Sequence, residues 1–147
     1  MADSAKMPPK WILKAMSRSN GFVYRLTGGR VGGSLMGSPI CLVTMTGRKS
    51  GRTITMPLMY TPHGDDVLIV ASLGGAPQHP VWYHNLIANP EVTIEQGAVT
   101  RKMRARQAGP EEKAARWPAL VASYPPFEDY QRKTDRDIPV MICSPAG

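Results

Sequence analysis

Residues 40–60 read ICLVTMTGRKSGRTITMPLMY. A mainly apolar run over 40–46 gives way to a glycine-bracketed turn, and a second run over 52–60 then alternates apolar and polar side chains. Alternation with a period of two residues is typical of a strand with one buried face, so the stretch predicts a β-hairpin. Pro57 lies inside the second run and cannot donate a ladder hydrogen bond. We therefore expect it at a sheet edge or beside a bulge.

The turn of this hairpin carries the cations Arg48, Lys49 and Arg52 and the hydroxyl of Ser50. Glycines let backbone amides approach an anion closely, Arg donates a planar fork of hydrogen bonds, and Lys adds a point charge. The spacing differs from a Walker A motif, because Lys49 precedes Ser50 and Gly51 in a shorter span, so ATP chemistry is not indicated. Two interpretations stay open: an anion-binding loop, or a solvated turn built from ordinary turn residues.

The charge of the chain is concentrated in its first part. Residues 1–60 hold nine Lys and Arg against the single acid Asp3, a surplus of +8, whereas residues 61–147 hold nine against ten. We therefore expect the anion-binding face in the first 60 residues. A predicted helix over 8–18 adds a basic stripe with a four-residue repeat, which is either the wet side of that helix or a peripheral contact with an anionic membrane surface.

The length of 147 residues predicts a single domain, with an N-terminal helix and glycine-rich loop over 1–38 and a core over 39–147. Cys41 and Cys143 each lie in an apolar run, which is typical of small buried side chains and favours a reducing, cytoplasmic compartment. No apolar run approaches the ~18 residues of a membrane span. The N-terminus does not have the pattern of a signal peptide.

Further elements are predicted by the same patterns: a strand over 67–72, a helix over 80–88, strands over 91–96 and 99–106, a helix over 110–123 and a strand over 138–143. We expect the first three strands of the chain to pair with one another in antiparallel fashion. Six strands with short helices and no βαβ rhythm favour a small closed or split barrel over a doubly wound sheet. His79 and His84 are expected on different helical sides, and with His63 they predict no metal site.

Several separate motifs occur in register: TGRKSG (46–51), PL (57–58), ASLGGA (71–76), HPVWYHNL (79–86), ANP (88–90), YP (124–125) and TDRDIPV (134–140). In this order they resemble the deazaflavin-dependent nitroreductase family of actinobacteria, and the resemblance covers residues 11–145. It implies a mainly β protein with short helices, a six-stranded split β-barrel like those that bind FMN. It also implies an oxidoreductase that uses coenzyme F420.

Coenzyme F420 has a flavin-like ring on a ribityl chain, followed by a phosphate, a lactyl group and a polyglutamate tail. The +8 surplus suits such an anionic tail. The resemblance assigns the phosphate contacts to Arg48, Lys49 and Ser50. It assigns further cofactor contacts to Arg52, Ile54, Met56, Pro57, Met59, Val70, Ala71, Ser72, Leu73, Gly74, Gly75, Ala76, Val81, Trp82, Tyr83, Asn85 and Phe127. Trp82 has an alternative interpretation as a core residue, whereas a buried Asn85 would need hydrogen-bond partners.

Three positions depart from the family pattern. Ile54 stands where the family often has a basic residue, for which Arg52 is the expected substitute, and Leu73 replaces a lysine of close relatives. Phe127 stands where relatives that activate nitroimidazoles have a tyrosine. Phenylalanine cannot donate a hydrogen bond, so nitro compounds are not the expected substrates.

The predicted reaction is hydride transfer from reduced F420 to a small conjugated acceptor, such as an enone, an unsaturated lactone or a quinone. Ser72, Tyr130 and Tyr124 are the candidate catalytic residues that orient or polarise the acceptor carbonyl, with solvent as another proton source. The alternatives are an FMN- or haem-binding barrel and a non-catalytic binder of anionic lipid or polymer. Nucleic-acid binding is not indicated, because the basic tract over 101–106 has no aromatic side chains. Monomer and homodimer both stay open.

Overall fold

A computed structural model describes residues 34–35 and 38–146 of the chain. The predicted N-terminal helix and its membrane contact lie outside the described residues, and so does most of the glycine-rich loop.

The described residues form one antiparallel sheet with short helices. Its strands are β1 (Ser34–Leu35), β2 (Ser38–Thr46), β3 (Thr53–Met59), β4 (Thr61–His63), β5 (Asp66–Val70), β6 (Glu91–Gln96), β7 (Val99–Gln107) and β8 (Val140–Pro145). The helices are α1 (Val81–Ala88), α2 (Pro110–Ser123) and α3 (Pro126–Lys133), and a 3-10 turn spans Leu73–Gly75. The strand order is β1-β2-β6-β7-β8-β5-β4, and β3 pairs with β2 outside this path.

The opening hairpin is confirmed. β2 and β3 pair antiparallel from Ile40 with Met59 to Thr46 with Thr53. Pro57 lies opposite Leu42, and β2 is the one ladder partner of β3 among the described residues. Pro57 therefore sits on an edge strand, where its missing N–H leaves no gap in a second ladder.

The prediction of a mainly β protein with short helices is confirmed, but three details of it are wrong. The described part of the chain has eight strands instead of six, because β1 and β4 are too short to show a periodicity. β5 pairs with β4 and β8, not with β3. Strand β3 ends at Met59, and the chain then forms a second hairpin around Gly64. Helix α3 was not predicted: Pro125 and Pro126 look like a break but are well tolerated in a first helical turn.

Strands β5 and β8 bury side chains on both faces. One face of this pair lies in the core cluster that also holds side chains of β2, β6 and β7, together with Trp82 and Leu86 of α1. The opposite face packs with α2 and α3, and this second cluster contains Leu68, Val70, Leu120, Tyr124, Phe127, Tyr130, Ile138, Val140 and Ile142. Each face of the β5–β8 pair therefore belongs to a separate core cluster.

Both cysteines behave as predicted. Cys41 and Cys143 are buried free thiols. Burial raises the pKa of Cys143 to about 12, and burial also raises the pKa of Cys41 well above its ordinary value. Neither thiol is therefore a nucleophile at neutral pH.

Within residues 34–35 and 38–146, no helix combines the length and the apolar character that crossing a membrane would require.

The β6–β7 hairpin offers a matched test of the core. Ile94 is fully buried, whereas Val99 is 56% exposed. We expect Ile94→Ala to lower the free energy of unfolding by about 2–5 kcal/mol through lost burial and a residual cavity, and Val99→Ala to change it by less than about 0.5 kcal/mol. Urea unfolding followed by tryptophan fluorescence measures both variants. Equal effects at the two positions would contradict the core assignment.

Candidate active site

The turn between β2 and β3, residues 47–52, is closed by its own hydrogen bonds. Gly47 N donates to Arg52 O at 2.8 Å, and Gly51 N donates to Gly47 O at 2.9 Å. Ser50 Oγ accepts from Arg52 N at 3.1 Å. A Cβ at position 47 would lie 2.6 Å from Ser50 Oγ, and Gly51 has a φ of +69°. Glycine therefore suits both ends: a side chain at position 51 would be strained by the positive φ, and a Cβ at position 47 would force the Ser50 side chain to move.

The cations on this turn carry their charge without local compensation. Arg48, Lys49 and Arg52 are exposed, and no carboxylate of the described residues forms an ion pair with them. Elsewhere on the surface, Arg104 and Arg106 are paired with glutamates. An anion can therefore bind the turn without first breaking an ion pair. Arg52 lies directly before β3, which begins at Thr53.

Helix α1 fixes the position of the turn through Asn85. The Asn85 side chain is 5% exposed, its Oδ1 accepts from Arg48 N at 2.9 Å, and its Nδ2 contacts Met45 Sδ at 3.7 Å. These partners account for a buried amide. Asn85 thus contributes to the site by holding the backbone of residues 47–52, which are called the cationic turn below.

A small recess lies at the other end of β3. It is lined by Met59, Tyr60, Thr61, Leu68, Val70, Ser123, Tyr124 and Phe127. Four of these residues, Met59, Val70, Tyr124 and Phe127, were predicted from the sequence as site residues. The six steps from Thr53 to Met59, at about 3.3 Å each, separate the turn and the recess by about 20 Å. The candidate site is therefore elongated along β3.

Two buried phenols meet behind the recess. The hydroxyls of Tyr124 and Tyr130 are 3.2 Å apart. Burial, and then the hydrogen bond with Tyr124, raises the pKa of Tyr130 above its ordinary value of 10.0. Tyr130 is therefore a neutral phenol at physiological pH. The ring centroid of Phe127 is 4.8 Å from that of Tyr124, so Phe127 adds an apolar wall without a hydroxyl.

The chain leaves β5 through a tight turn, residues 71–76, that packs against α3. Leu73, Gly74 and Gly75 have φ values of 45°, 63° and 80°. A Cβ at Gly75 would lie 2.9 Å from Tyr130 O and 3.1 Å from Tyr130 Cα. Ser72, a predicted catalytic residue, is buried in this turn. Close contact at Gly75 thus couples the position of Ser72 to that of Tyr130.

Arg136 was not predicted as a site residue, yet its guanidinium holds this turn. It donates to Ser72 O at 2.6 Å, to Ala76 O at 2.8 Å and to Ala71 O at 3.1 Å. Its Nη1 also lies 2.9 Å from His79 Nδ1. These partners lie 57 to 65 residues earlier in the chain. The only sequence signal was its place in the motif TDRDIPV.

The remaining predicted residues occupy different settings. Trp82 is buried in the core with Leu86, which fits its alternative interpretation. Tyr83 donates its hydroxyl proton to Gln107 Oε1 at 2.6 Å. Val81 and Ile54 are exposed, at 75% and 36%. Met56 packs against the core cluster that contains Trp82 and Leu86.

The expected separation of His79 and His84 is wrong. Their ring centroids are 5.9 Å apart, because His79 precedes α1 and helical spacing does not apply to it. In the part of the chain that the structure describes, no group of three or more His, Cys, Asp or Glu is arranged to hold a metal ion.

Comparison with known proteins adds independent evidence. The family model described as F420H(2)-dependent quinone reductase matches residues 16–145. An F420H(2)-dependent quinone reductase of Mycobacterium tuberculosis is 38% identical over 126 residues, covering 83% of this chain and 85% of that protein. A solved F420-H2 dependent reductase is 44% identical with a TM-score of 0.67, covering 72% of this chain and 94% of its own. Another solved chain, described as a domain-swapped dimer, is 37% identical with a TM-score of 0.70, covering 94% of this chain and 100% of its own.

Gly75 and Gly64 provide a matched pair for the contact between the turn and α3. Both have positive φ, but a Cβ at Gly64 meets no atom within 4 Å. We expect Gly64→Ala to lower the free energy of unfolding by about 1 kcal/mol through φ strain alone, and Gly75→Ala to lower it by about 1–3 kcal/mol more because it overlaps α3. Thermal unfolding of both variants measures the difference. Equal losses of unfolding free energy in the two variants would show that overlap with α3 does not destabilise Gly75→Ala.

Proposed function

The chain belongs to the F420H(2)-dependent quinone reductase family, and we propose that it transfers a hydride from reduced F420 to a quinone. Membership makes the protein an oxidoreductase that uses coenzyme F420, and it has the split β-barrel fold of its relatives. The acceptor and the role of each residue are the parts that we propose.

The cationic turn supports the placement of the cofactor tail. Arg48, Lys49 and Arg52 offer three positive charges that have no carboxylate partner among the described residues, and this observation carries the assignment. In the proposal, these three residues and Ser50 hold the phosphate and carboxylates of F420. The Ser50 hydroxyl accepts from Arg52 N, so its proton is still available for donation.

The distance along β3 supports the placement of the ring. A cofactor held by its tail at residues 47–52 extends along β3 toward Met59 and the recess. Val70 ends β5 near this end and the turn over 71–76 follows it, and in the proposal they contact the ring and the ribityl chain. When bound, reduced F420 supplies the hydride.

The paired phenols support a role in acceptor binding. A quinone oxygen gains negative charge as the hydride arrives, and a neutral phenol can donate a hydrogen bond to it. Tyr130 stays protonated at neutral pH, and Tyr124 links it to the recess by their shared hydrogen bond. Ser72 is the third candidate donor. Phe127 offers no hydroxyl, which favours a flat apolar quinone over a nitro compound. Enones and unsaturated lactones also have an electron-poor carbon conjugated to a carbonyl, as quinones do, so they belong to the same acceptor class.

Two further parts of the proposal concern the setting of the enzyme. We place it in the cytoplasm, because both cysteines are free thiols of the kind that a reducing compartment maintains.

We also propose a homodimer, supported by the relative that forms a domain-swapped dimer.

The turn assignment is tested by removing two of its cations. We expect Arg48→Ala with Lys49→Ala to weaken F420 binding by about tenfold or more, because each lost charge-assisted hydrogen bond removes about 1.5–3 kcal/mol. Fluorescence titration of the protein with F420 measures the dissociation constant.

The matched control is Arg116→Ala with Arg132→Ala on helices α2 and α3, which changes the net charge equally at the recess end of the molecule. We expect the control to bind F420 within about twofold of the wild type at about 0.15 M salt, where distant exposed charges are screened. Unchanged binding in the turn variant, or equal weakening in both, would refute the assignment.

The role of the phenols is tested by Tyr130→Phe, which keeps the ring and removes the hydroxyl. We expect kcat for a soluble quinone to fall by about tenfold to hundredfold, as for other lost donors to developing charge. The dissociation constant of F420 should change by less than about twofold, because the lost hydrogen bond acts on the acceptor. Steady-state kinetics and the F420 titration measure the two effects. Normal kcat with weakened F420 binding would reverse the assigned role.

A further inference from the structure

Arg136 is a charged side chain held entirely by neutral groups. Its three backbone acceptors are the carbonyls of Ala71, Ser72 and Ala76. Among the described residues no carboxylate pairs with it, and the neighbouring Asp137 is bonded to Lys113 instead. Burial lowers the pKa of Arg136, although arginine remains charged throughout the physiological range. A partly buried cation without a counter-ion costs stability unless its donors are hydrogen-bonded, and the three carbonyls supply these bonds.

The segment that Arg136 holds is strained. Leu73 has a φ of 45° without being glycine, a conformation that costs about 1–2 kcal/mol and persists only where surrounding contacts impose it. Inside the turn, Gly75 N donates to Ser72 O and Ala76 N donates to Leu73 O. Arg136 binds the carbonyls of Ala71 and Ser72 before Leu73 and the carbonyl of Ala76 after it. These hydrogen bonds are the surrounding contacts that hold Leu73 in its strained conformation.

The hydrogen bonds from Arg136 to the carbonyls of Ala71, Ser72 and Ala76 are called the clamp below. The clamp depends on the protonation state of His79. Arg136 can only donate, so Nδ1 of His79 must carry no proton when it accepts from Nη1. Burial, and then the charge of Arg136, lowers the pKa of His79 below its ordinary value of 6.5. The other titratable side chains against His79 are Tyr83 and His84 on α1, whose ring centroids lie 4.6 Å and 5.9 Å from its own. A proton on His79 would place two positive charges 2.9 Å apart and break the contact.

We propose that Arg136, supported by a neutral His79, is a positioning residue that fixes the turn over 71–76 in the shape that F420 requires. The inference rests on the proposed function in one respect: F420 is taken as the ligand of this turn. Arg136 acts through the backbone that it holds and does not contact the reacting atoms.

The first experiment compares Arg136→Gln with Arg132→Gln, an exposed arginine on α3 that is paired with Glu128 and Asp129. Hydrogen exchange of the cofactor-free protein reports the protection of the Gly75 and Ala76 amides. We expect Arg136→Gln to lower this protection by about tenfold while leaving the β2–β3 ladder unchanged, because only the local opening of the turn becomes easier. We expect it to weaken F420 binding by about tenfold or more, and Arg132→Gln to have neither effect.

Arg136→Lys keeps the charge but offers fewer donors and no planar fork, so we expect values between those of the wild type and Arg136→Gln. If Arg136→Gln does not fold, this variant carries the test. Wild-type protection and wild-type F420 affinity in Arg136→Lys would then overturn the inference. A purely structural role would lower the melting temperature but leave F420 affinity unchanged when it is measured well below that temperature.

The second experiment uses pH and His79→Asn, whose Oδ1 can accept near the position of Nδ1 but does not titrate. Because the folded pKa of His79 is lowered, the unfolded turn takes up the proton first, and protection should fall as the pH drops from about 7.5 to about 5. In His79→Asn the protection factors should be independent of pH over that range, and His84→Asn should keep the wild-type pH dependence. The same pH dependence in wild type and His79→Asn would exclude His79 from the clamp.

The two proposals fail in different ways. Absence of F420 binding to the wild-type protein would overturn the proposed function, while exchange in the cofactor-free protein would still test the clamp. Normal F420 binding by the wild type together with unchanged binding and protection in Arg136→Gln would overturn the inference alone.

Discussion

The double burial of the β5–β8 pair is the constraint on which the site depends. Because Val67 and Ile69 point to one face and Leu68 and Val70 to the other, each face needs its own apolar cover. The core cluster that joins β2, β6, β7 and α1 covers one face, and α2 with α3 covers the other. The turn that leaves β5 then meets Arg136 and the backbone of Tyr130. The packing of the core thus decides where the polar groups of the site can lie.

Electrostatics divides the surface of the molecule into two kinds of region. On β7 and α3, Arg104, Arg106 and Arg132 are matched by carboxylates of the same or a neighbouring element. On the turn over 47–52, three cations stand close together without such partners. Their mutual repulsion disfavours the free protein slightly, and an anionic ligand relieves it on binding. Asn85 makes this arrangement possible, because it holds the turn by a neutral amide and adds no charge that would compete with the ligand.

Sequence reasoning succeeded where the determining contacts are local. The β2–β3 hairpin, α1, the β6–β7 hairpin and α2 follow from periodicity, proline placement and turn residues within a few positions, and all four are found. It failed where partners are distant. The pairing of β5 with β8 joins Val67 to Cys143, and no local pattern prefers that partner over β3. The cationic turn was visible because its charges are adjacent, whereas the role of Arg136 depends on carbonyls 60 to 65 residues away.

The contrast between Phe127 and the two tyrosines shows how burial and chemistry are balanced in the recess. All three rings are buried in one cluster, but a buried hydroxyl costs free energy unless it is hydrogen-bonded. The hydroxyls of Tyr124 and Tyr130 are hydrogen-bonded to one another at 3.2 Å. A third hydroxyl at position 127 would need a partner of its own. Phenylalanine removes that requirement and presents an apolar wall to the recess.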